Sequence, residues 1–504
     1  MAPSSDWVMI GNNEAIGLKA IAAVSFERFR QAVIEAVAGE ARLSALPVWS
    51  PGDSGGLRVI AVLSLPQRGE LGLLSAALPD RWPSLTPHCP AAHWFEREIA
   101  EQWGLTPEGH PWLKPIRFQP CRRHPDGGSR SACAGLTDFF AMAGQESHEV
   151  AVGPVHAGII EPGHFRFLCH GETVYHLEIS LGYQHRGIER AMTGGPVPRS
   201  VHYMETLAGD TTIGHVTAYS HLLEALAGAT VPARGKAIRA IAAELERIAN
   251  HVGDLGALAG DVGFLPTRDY CGRIRGDVLN MTAAVCGNRF GRGLIRPGRV
   301  QWDLDGGLTE DLLARLDAVE KDVTGAVPLM LDTPSVLARL EGTGVVSSET
   351  ARDIGMVGVA ARASGLECHV CAEFPYGIYR LAQLPVNTWT GGDCAARTYV
   401  RWFEVQASID FLRHQLLELP AGPVDRKLSP MAPESLAVSL VEGWRGEICH
   451  VAATDRESRF AFYKVVDPSF HNWFGLALAL RGQQISDFPL CNKSFSLSYC
   501  GHDL

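Results

Sequence analysis

Apolar residues recur with a helical period in two stretches of the chain. In residues 26–37 the apolar positions 26, 29, 33, 34 and 37 form one stripe, which predicts an amphipathic helix. In residues 236–252 five aliphatic residues recur at alternating spacings of three and four, and this is the clearest helical pattern. The composition of residues 91–104 predicts another helix that ends at Gly104.

Short β-rich runs predict strands before and after a polar interruption. Residues 57–65 and 71–78 have this character, and so do residues 165–169 and 173–179, which flank a tight turn at His170-Gly171. After Gln184 the pattern becomes mostly helical. The sequence therefore predicts strands in the first part of the chain and mainly helices in the second.

A segment rich in proline, glycine and serine separates these parts. Residues 119–134 contain few apolar positions, which is typical of a linker or surface loop. We therefore predict an amino-terminal domain over residues 1–118, a linker over 119–150 and a larger domain over 151–504. The predicted fold class is α+β: an α+β domain is followed by a mainly α-helical domain with a small β region.

Composition excludes several functional classes. The 504 residues carry 45 Lys and Arg against 55 Asp and Glu, a net charge of −10. Since no basic run of footprint size occurs, we expect no nucleic acid as a partner. No apolar stretch reaches the ~20 residues that a membrane-spanning helix needs. No secretory signal is expected at the amino terminus, so we expect the chain to stay in the cytoplasm.

Of the 12 cysteines, only Cys368 and Cys371 are spaced as C-x-x-C. A disulfide framework is not expected at this length in a reducing compartment. Three interpretations remain open for the pair. They are a structural zinc site joined by His369 and Cys394, a redox-active pair, and two reduced cysteines in a loop, which we favour.

A polar strip lies beside the aliphatic stripe of residues 236–252. Glu244, Arg247 and His251 share it because they are spaced by three, four and seven positions. The pattern alone favours a solvated flank with an ion pair. The alternative is a polar strip that faces a partner or a buried cavity.

Several motifs occur in a fixed order along the chain, and those of the first domain come before those of the second. The first domain contains Pro83-Ser84-Leu85, His93–Glu98, Trp103-Gly104 and Glu108–Pro111. The second contains Gly153–His156, Leu181–Glu189, Glu244–His251, Arg362–Gly365, Asp467–Trp473 and Asp487–Leu504. The first set resembles the C-type subunit of respiratory complex I. The second resembles the D-type subunit of complex I and its relative, the large subunit of membrane-bound nickel–iron hydrogenases.

The C-then-D order in one chain is similar to the large subunits of hydrogenase 4 and formate hydrogenlyase. The resemblance implies a component of a hydrogenase-related or NADH–quinone oxidoreductase-like complex on the cytoplasmic side of the inner membrane, attached peripherally. It implies coupling of electron transfer from an iron–sulfur subunit to the membrane ion-translocating arm. The implied partners are an iron–sulfur subunit of the complex I B type, other peripheral-arm subunits and the ion-translocating subunits.

The resemblance also tells which cofactors to expect. In the nickel–iron family two C-x-x-C pairs hold the metals, and the first pair lies between the positions of Glu205 and His215. Ala208 and Thr211 occupy its cysteine positions, and near the carboxyl terminus only Cys491 and Cys500 occur. Since nickel requires soft thiolates, we expect no metal site and no hydrogenase activity in this chain. Iron–sulfur clusters are expected in a partner subunit.

Nucleotide and quinone sites would each need their own motif. No G-x-G-x-x-G opens a βαβ unit, so NADH is not expected to bind here. In the resemblance to the D-type subunit, His156 matches the first histidine of the quinone region, Glu161 occupies the second, and the tyrosine would fall near Ala208. Quinone binding therefore stays open. The alternatives to a role in coupling are a silent scaffold and a quinone-reducing subunit with a rearranged head-group site.

Seven residues that match family positions are predicted to carry or steer protons. They are His156, Glu161, His185, Arg186, Glu189, Arg247 and His251. The alternative for each is a structural ion pair. For His185-Arg186 we favour a functional role, because Gly187 lets the backbone turn tightly beside them.

Overall fold

The computed structural model of the protein describes residues 6–51, 56–123 and 134–504. The central part of the predicted linker, residues 124–133, lies outside the described residues, and Cys133 lies within it. The helices and strands of the protein confirm the predicted α+β fold class.

The amino-terminal part is built on a mainly antiparallel sheet. The strands of this part of the chain are β1 (Val8–Gly11), β2 (Ala15–Gly17), β3 (Ala23–Val24), β4 (Arg42–Ala45), β5 (Val48–Trp49), β6 (Leu57–Leu65), β7 (Glu70–Leu78), β8 (Arg81–Pro83) and β9 (Thr106–Glu108). In the sheet the order β1-β7-β6-β4 is antiparallel, β5 pairs antiparallel with β6 and β3 pairs parallel with β7, whereas β8 and β9 form a separate parallel pair. Helix α1 (Phe26–Ala38) packs on β7. These elements confirm the helix and the two strands predicted here.

Helix α2 (His93–Trp103) connects this part to the rest of the protein. It ends at Gly104, whose φ of +66° is the left-handed conformation that glycine adopts at helix ends. The predicted stop is therefore correct. Every residue from His93 to Ile99 is buried, because later segments of the chain pack over this helix.

A second sheet follows residue 146. It consists of β10 (Ser147–Val152), β11 (His164–His170) and β12 (Thr173–Ser180), all antiparallel. The last two are the predicted hairpin. The loop of residues 153–163 between β10 and β11 carries two of the predicted site residues.

Helices dominate residues 188–417. They are α3 (Ile188–Met192), α4 (Ser200–Glu205), α5 (Thr212–Leu226), α6 (Ala233–Asp261), α7 (Leu265–Cys286), α8 (Gly306–Leu331), α9 (Pro334–Leu340), α10 (Ser348–Asp353), α11 (Gly358–Ala363), α12 (Val370–Glu373) and α13 (Cys394–Leu417), with a small hairpin of β13 (Ile295–Arg296) and β14 (Arg299–Val300). Helix α6 extends the predicted 236–252 helix at both ends and packs against α7 and α13.

The sequence did not predict the sheet near the carboxyl terminus. Strands β15 (Ser435–Gly443), β16 (Gly446–Thr454) and β17 (Phe460–Val466) form it, and helices α14 (Pro468–Ala479), α15 (Phe488–Phe495) and α16 (Tyr499–Asp503) follow. Strand β2 completes the order β17-β16-β15-β2. The amino-terminal part thus contributes a strand to the sheet of the larger part, so the two interlock.

Among the described residues, no helix combines the length and the apolar character that crossing a bilayer requires.

Three buried histidines make the fold sensitive to acid. Burial lowers the pKa values of His221, His369 and His471 to about 4. Between pH 6.5 and 4 the unfolded chain therefore takes up protons that the folded chain does not. Each histidine then costs about 1.4 kcal/mol of stability per pH unit, and above pH 6.5 this loss is absent.

We expect His471→Phe to weaken this pH dependence. The phenyl ring keeps the packing against Phe95, whose ring centroid lies 5.7 Å from that of His471, and removes one proton-binding group. Urea unfolding midpoints at pH 7.0 and 5.0 measure the effect. The exposed His88→Phe serves as the control. An unchanged difference between the two pH values in His471→Phe would show that this histidine does not contribute.

Candidate functional site

Four of the seven predicted site residues lie near the carboxyl-terminal segment, His156 lies in the loop between β10 and β11, and two lie on α6. In the first group, a Glu161 carboxylate oxygen accepts hydrogen bonds from Gln184 Nε2 at 2.6 Å and from the Cys500 amide at 2.8 Å. His185 Nδ1 lies 2.7 Å from the Asp503 carbonyl. The turn that follows β12 is therefore hydrogen-bonded to the last residues of the chain.

Arg186 joins two distant backbone segments at this turn. Its guanidinium donates to the carbonyls of Thr206 at 2.8 Å, Leu207 at 2.7 Å and Cys500 at 3.3 Å. Gly187 has φ of +69°, so the tight turn predicted beside Arg186 is correct. The arginine thus holds the segment of residues 205–215 against the carboxyl terminus.

His156 makes a more local contact. Its Nε2 lies 2.8 Å from the Gly163 carbonyl, across the loop between β10 and β11. The imidazole therefore closes its own loop, and this contact favours a structural role for it.

Glu189 is buried in a network of opposite charges. Lys464 Nζ lies 2.9 Å away, and Arg122 lies 3.6 Å away. Burial acts to raise the pKa of Glu189, but Lys464, Arg117 and Arg122 outweigh it and hold the pKa at about 2. A carboxylate fixed in its ionised form favours the structural ion pair over proton carriage.

Three predicted residues share one cavity. His185, Arg186 and Glu189 line a space of about 500 Å³ together with Arg117 and Arg122. Burial is the main cause that lowers the pKa of His185, so its imidazole is neutral at pH 7. The arginines give this cavity a positive lining.

The polar strip on α6 is buried. Glu244 and His251 are 0% exposed and Arg247 is 2% exposed, so the interpretation as a solvated flank is wrong. Its ion pair is present, since Arg247 Nε lies 3.0 Å from a Glu244 oxygen. The strip faces other buried charges on α11, α13 and β15.

Glu404 on α13 lies at the centre of these charges. It accepts from His251 Nε2 at 2.8 Å and pairs with Arg362 at 2.7 Å. Arg362 also pairs with Glu442 at 2.9 Å, and Arg247 lies 3.6 Å from Glu404. We call Glu244, Arg247, His251, Arg362, Glu404 and Glu442 the central cluster.

The charges of the central cluster do not cancel. It holds three carboxylates and two guanidinium groups. Burial lowers the pKa of His251, so this imidazole is neutral at pH 7. The cluster then carries one excess negative charge, and uptake of one proton would neutralise it.

Trp444 and Arg445 connect the central cluster to residues 205–215. The Trp444 ring lies 5.9 Å from the His251 ring, and its Nε1 donates to the Asp210 carbonyl at 3.0 Å and to Thr211 Oγ1 at 3.1 Å. Arg445 pairs with the Asp210 carboxylate at 2.6 Å. Buried polar groups therefore extend from α6 to residues 205–215, which Arg186 holds against the carboxyl terminus.

The residues at the expected nickel position do not fit that metal. Ala208 has no ligand atom, and the Thr211 hydroxyl is held by Asp210, Trp444 and Arg445. Cys500 is near, because the Gly209 amide donates to its thiol. A nickel–iron centre needs several thiolates, and a guanidinium beside Thr211 opposes a further cation.

Cys491 is not part of this position. Its thiol is hydrogen-bonded to that of Cys394, and Arg397 lies 3.5 Å from the Cys394 sulfur. Among the described residues, no group of three or more His, Cys, Asp or Glu side chains is arranged to hold a metal ion.

A buried chain of hydrogen bonds was not predicted from the sequence. His215 Nε2 lies 3.0 Å from Asp467, and its Nδ1 lies 3.1 Å from His450 Nε2. His450 Nδ1 lies 2.8 Å from the Tyr463 hydroxyl. Both His215 and Asp467 belong to the motifs that carry the family resemblance, and this was the available signal. His450 and Tyr463 had none.

Asp467 fixes the direction of the first of these bonds. Burial raises the pKa of Asp467, but the bond from His215 and the charge of Arg445 lower it overall, so Asp467 is ionised. His215 therefore donates from Nε2 to this carboxylate, and the tautomers of His215 and His450 set the directions of the two bonds beyond it. Such a chain can pass a proton by reversing each bond.

Cys368 and Cys371 are both buried. Burial raises the pKa of Cys368 to about 11 and that of Cys371 well above the ordinary range. The Cys371 sulfur lies 3.7 Å from the Tyr376 hydroxyl, and Cys394 is engaged with Cys491. Protonated thiols favour two reduced cysteines over a redox-active pair.

We expect the double variant Cys368→Ser/Cys371→Ser to keep both the zinc content and the activity of the purified complex, because neither thiol serves as a ligand. Elemental analysis and turnover measure these quantities. The double alanine variant is the control for burying two hydroxyl groups. Loss of zinc or of activity in both variants would show that the pair is functional.

The chain matches two protein families, one in each part, in the order predicted from the sequence. The family model of the respiratory-chain NADH dehydrogenase 30 kDa subunit matches residues 31–125, and that of the 49 kDa subunit matches residues 261–437. The predicted succession of two subunit-like parts is therefore confirmed.

Comparisons with individual proteins agree with these matches. The chain is 32% identical to the carbon monoxide-induced hydrogenase of Rhodospirillum rubrum, over 69% of this chain and 97% of that protein. It is 30% identical to formate hydrogenlyase subunit 5 of Escherichia coli (strain K12), over 83% and 76% of the two chains. It is 29% identical to the C/D subunit of the NADH-quinone oxidoreductase of Bacteroides thetaiotaomicron, over 78% and 80%.

Proposed function

We propose a function from the premise that this chain belongs to the family of the respiratory-chain NADH dehydrogenase 49 kDa subunit and its hydrogenase relatives. It acts as a subunit of an oxidoreductase complex bound peripherally to a membrane. There it couples electron transfer in an iron–sulfur partner to ion movement in membrane subunits, without a nickel–iron centre.

The central cluster is the observation that carries this proposal. Its six charged or titratable groups are buried, and they extend through Trp444 and Arg445 towards residues 205–215. Buried ion pairs are weak contributors to stability, so stability alone gives little reason for such a cluster. Burial acts to raise the pKa values of Glu404 and Glu442, but neighbouring positive charges lower them overall, so the proton that neutralises the cluster goes to the neutral His251.

An iron–sulfur partner is supported by the loop between β10 and β11. Val155 is 83% exposed and Ile159 is 85% exposed, and both lie close in sequence to Glu161. Exposed aliphatic groups beside a polar site are typical of a protein interface. A partner that covers this loop would lie next to Glu161 and the Cys500 amide that Glu161 accepts from.

Proteoliposomes that contain the purified native complex test the coupling. Electron transfer from an artificial donor to a quinone, and ion uptake into the vesicles, are measured together. We expect Glu442→Gln to retain the full set of subunits and to lose most ion uptake, because it changes the charge of the central cluster. Asp410→Asn, an exposed change on α13, is the control. Equal uptake in both variants would favour the scaffold alternative.

The absence of a nickel centre is a separate prediction. We expect the purified complex to contain no nickel in this subunit and to catalyse no hydrogen uptake, because Ala208 and Thr211 replace thiolates. Elemental analysis of this subunit and a hydrogen-uptake assay measure this. Nickel in a stoichiometric amount would contradict it, even if the coupling proposal held.

A further inference from the structure

A cavity lies where the amino-terminal part meets the larger part. Its volume is about 420 Å³, which falls within the usual range for small-molecule sites. It is lined by rings from several segments of the chain, namely His93, Trp112, Phe140, His176 and Phe474. It shares no residue with the cavity lined by His185 and Arg186.

The rings form a continuous aromatic wall. Ring centroids lie 5.6 Å apart for His93 and Trp112, 4.9 Å for His93 and Phe474, and 5.4 Å for Trp112 and His176. Phe140 lies 5.2 Å from Trp112. Aromatic pairs at these separations attract one another, so the wall is preformed.

Polar atoms in this wall lack partners. His93 is only 4% exposed, and neither of its ring nitrogens has a hydrogen-bond partner among the described residues. Within the same residues, Trp112 Nε1 and His176 Nε2 also lack one. Leaving a buried polar group unpaired costs about 1–3 kcal/mol, so a ligand that pairs them would recover this free energy.

His93 can offer one donor and one acceptor. Burial, and then the charge of Arg97, lower the pKa of His93 well below the ordinary range. The imidazole is therefore neutral and presents one N–H and one lone pair. Trp112 adds a second N–H donor to the same wall.

A positive charge lies among the lining residues. Arg481 is exposed and lines the cavity, and its charge lowers the pKa of His176. No carboxylate in the described part of the chain pairs with its guanidinium. Of the other nearby cations, Lys114 is paired with Glu178 at 2.6 Å, and Arg97 donates to the Lys114 and Pro115 carbonyls at 2.8 and 3.0 Å.

We propose that this cavity binds a small planar aromatic molecule that bears an anionic group. The ring contacts the aromatic wall, a polar ring substituent pairs with His93 and Trp112, and the anionic group pairs with Arg481. This ligand site is independent of the coupling function proposed above.

Binding of 6-hydroxy-2-naphthoate to the purified full chain tests the charge requirement, with the uncharged 6-hydroxy-2-naphthamide as the matched ligand. We expect saturable binding of both, with Arg481→Gln weakening only the naphthoate, by about tenfold. The control Arg456→Gln, at an arginine whose side chain is 85% exposed and lies away from this cavity, should leave both affinities unchanged.

The unpaired histidine gives a second readout. His93→Phe keeps an aromatic ring and removes two unpaired nitrogens, so we expect a higher thermal midpoint without ligand and weaker binding of both ligands. A histidine with only a structural role would give a lower midpoint. The proposal is overturned by absent saturable binding, by equal naphthoate affinity in Arg481→Gln, or by a destabilised His93→Phe.

Discussion

Glu404→Ala is expected to lower the free energy of unfolding by about 3–5 kcal/mol, because removing one member of a buried ion pair leaves the others uncompensated. Glu404 contacts His251 at 2.8 Å, Arg362 at 2.7 Å and Arg247 at 3.6 Å. Arg247 is 2% exposed and Arg362 is 0% exposed, so water cannot replace the lost carboxylate.

Urea unfolding of the purified chain measures this loss. The control is Asp410→Ala on the same helix, where the aspartate side chain is 69% exposed and its pair with Arg413 spans 3.6 Å. We expect that change to cost less than about 1 kcal/mol. Equal losses in the two variants would mean that the central cluster is solvated in the native protein.

Local patterns predicted most single elements of this fold. The apolar stripe of residues 26–37 marks the buried side of a helix. The runs at residues 57–65 and 71–78 are recognised by their β-rich composition. Strands β15 and β16 have no accessible side. Every residue of β15 and β16 is buried, so no alternation distinguishes these strands from a buried helical segment.

Pairing over long distances in sequence explains the site residues that were misjudged or missed. The spacing on α6 placed Glu244, Arg247 and His251 on one strip, but their burial depends on partners elsewhere. His251 meets Glu404 across 153 positions. His215 meets Asp467 across 252 positions. Neither contact can be detected from the local periodicity of the sequence.

The turn at His185-Arg186-Gly187 shows the opposite case, because its residues are adjacent in the sequence. There the motif that carries the resemblance contains His185, Arg186 and Gly187 together, and the structure places them in one turn against the last residues of the chain. Adjacent residues of a motif form one local structure, which the sequence can predict. The contacts of this turn with residues 205–215 could not be predicted from the sequence.

Arg186→Ala is expected to reduce electron transfer in the assembled complex by tenfold or more, with a much smaller effect on folding. Its guanidinium holds the carbonyls of Thr206, Leu207 and Cys500. Without it, Thr206 and Leu207 lose the guanidinium that links their carbonyls to that of Cys500. A shift of about 1 Å at such a site can cost a hundredfold in rate, whereas the arginine itself is exposed.

Arg190→Ala is the matched control, because Arg190 is exposed and lines the same cavity. His185→Ala should act in the same direction as Arg186→Ala, since His185 holds the Asp503 carbonyl at 2.7 Å. Thermal midpoints and the set of assembled subunits are measured beside turnover and ion uptake. If Arg186→Ala and His185→Ala assemble with full turnover, the turn only fastens the carboxyl terminus. If both lose turnover while Arg190→Ala keeps it, the geometry of this turn controls the reaction, since the loss then follows the two backbone contacts and not the charge of the cavity.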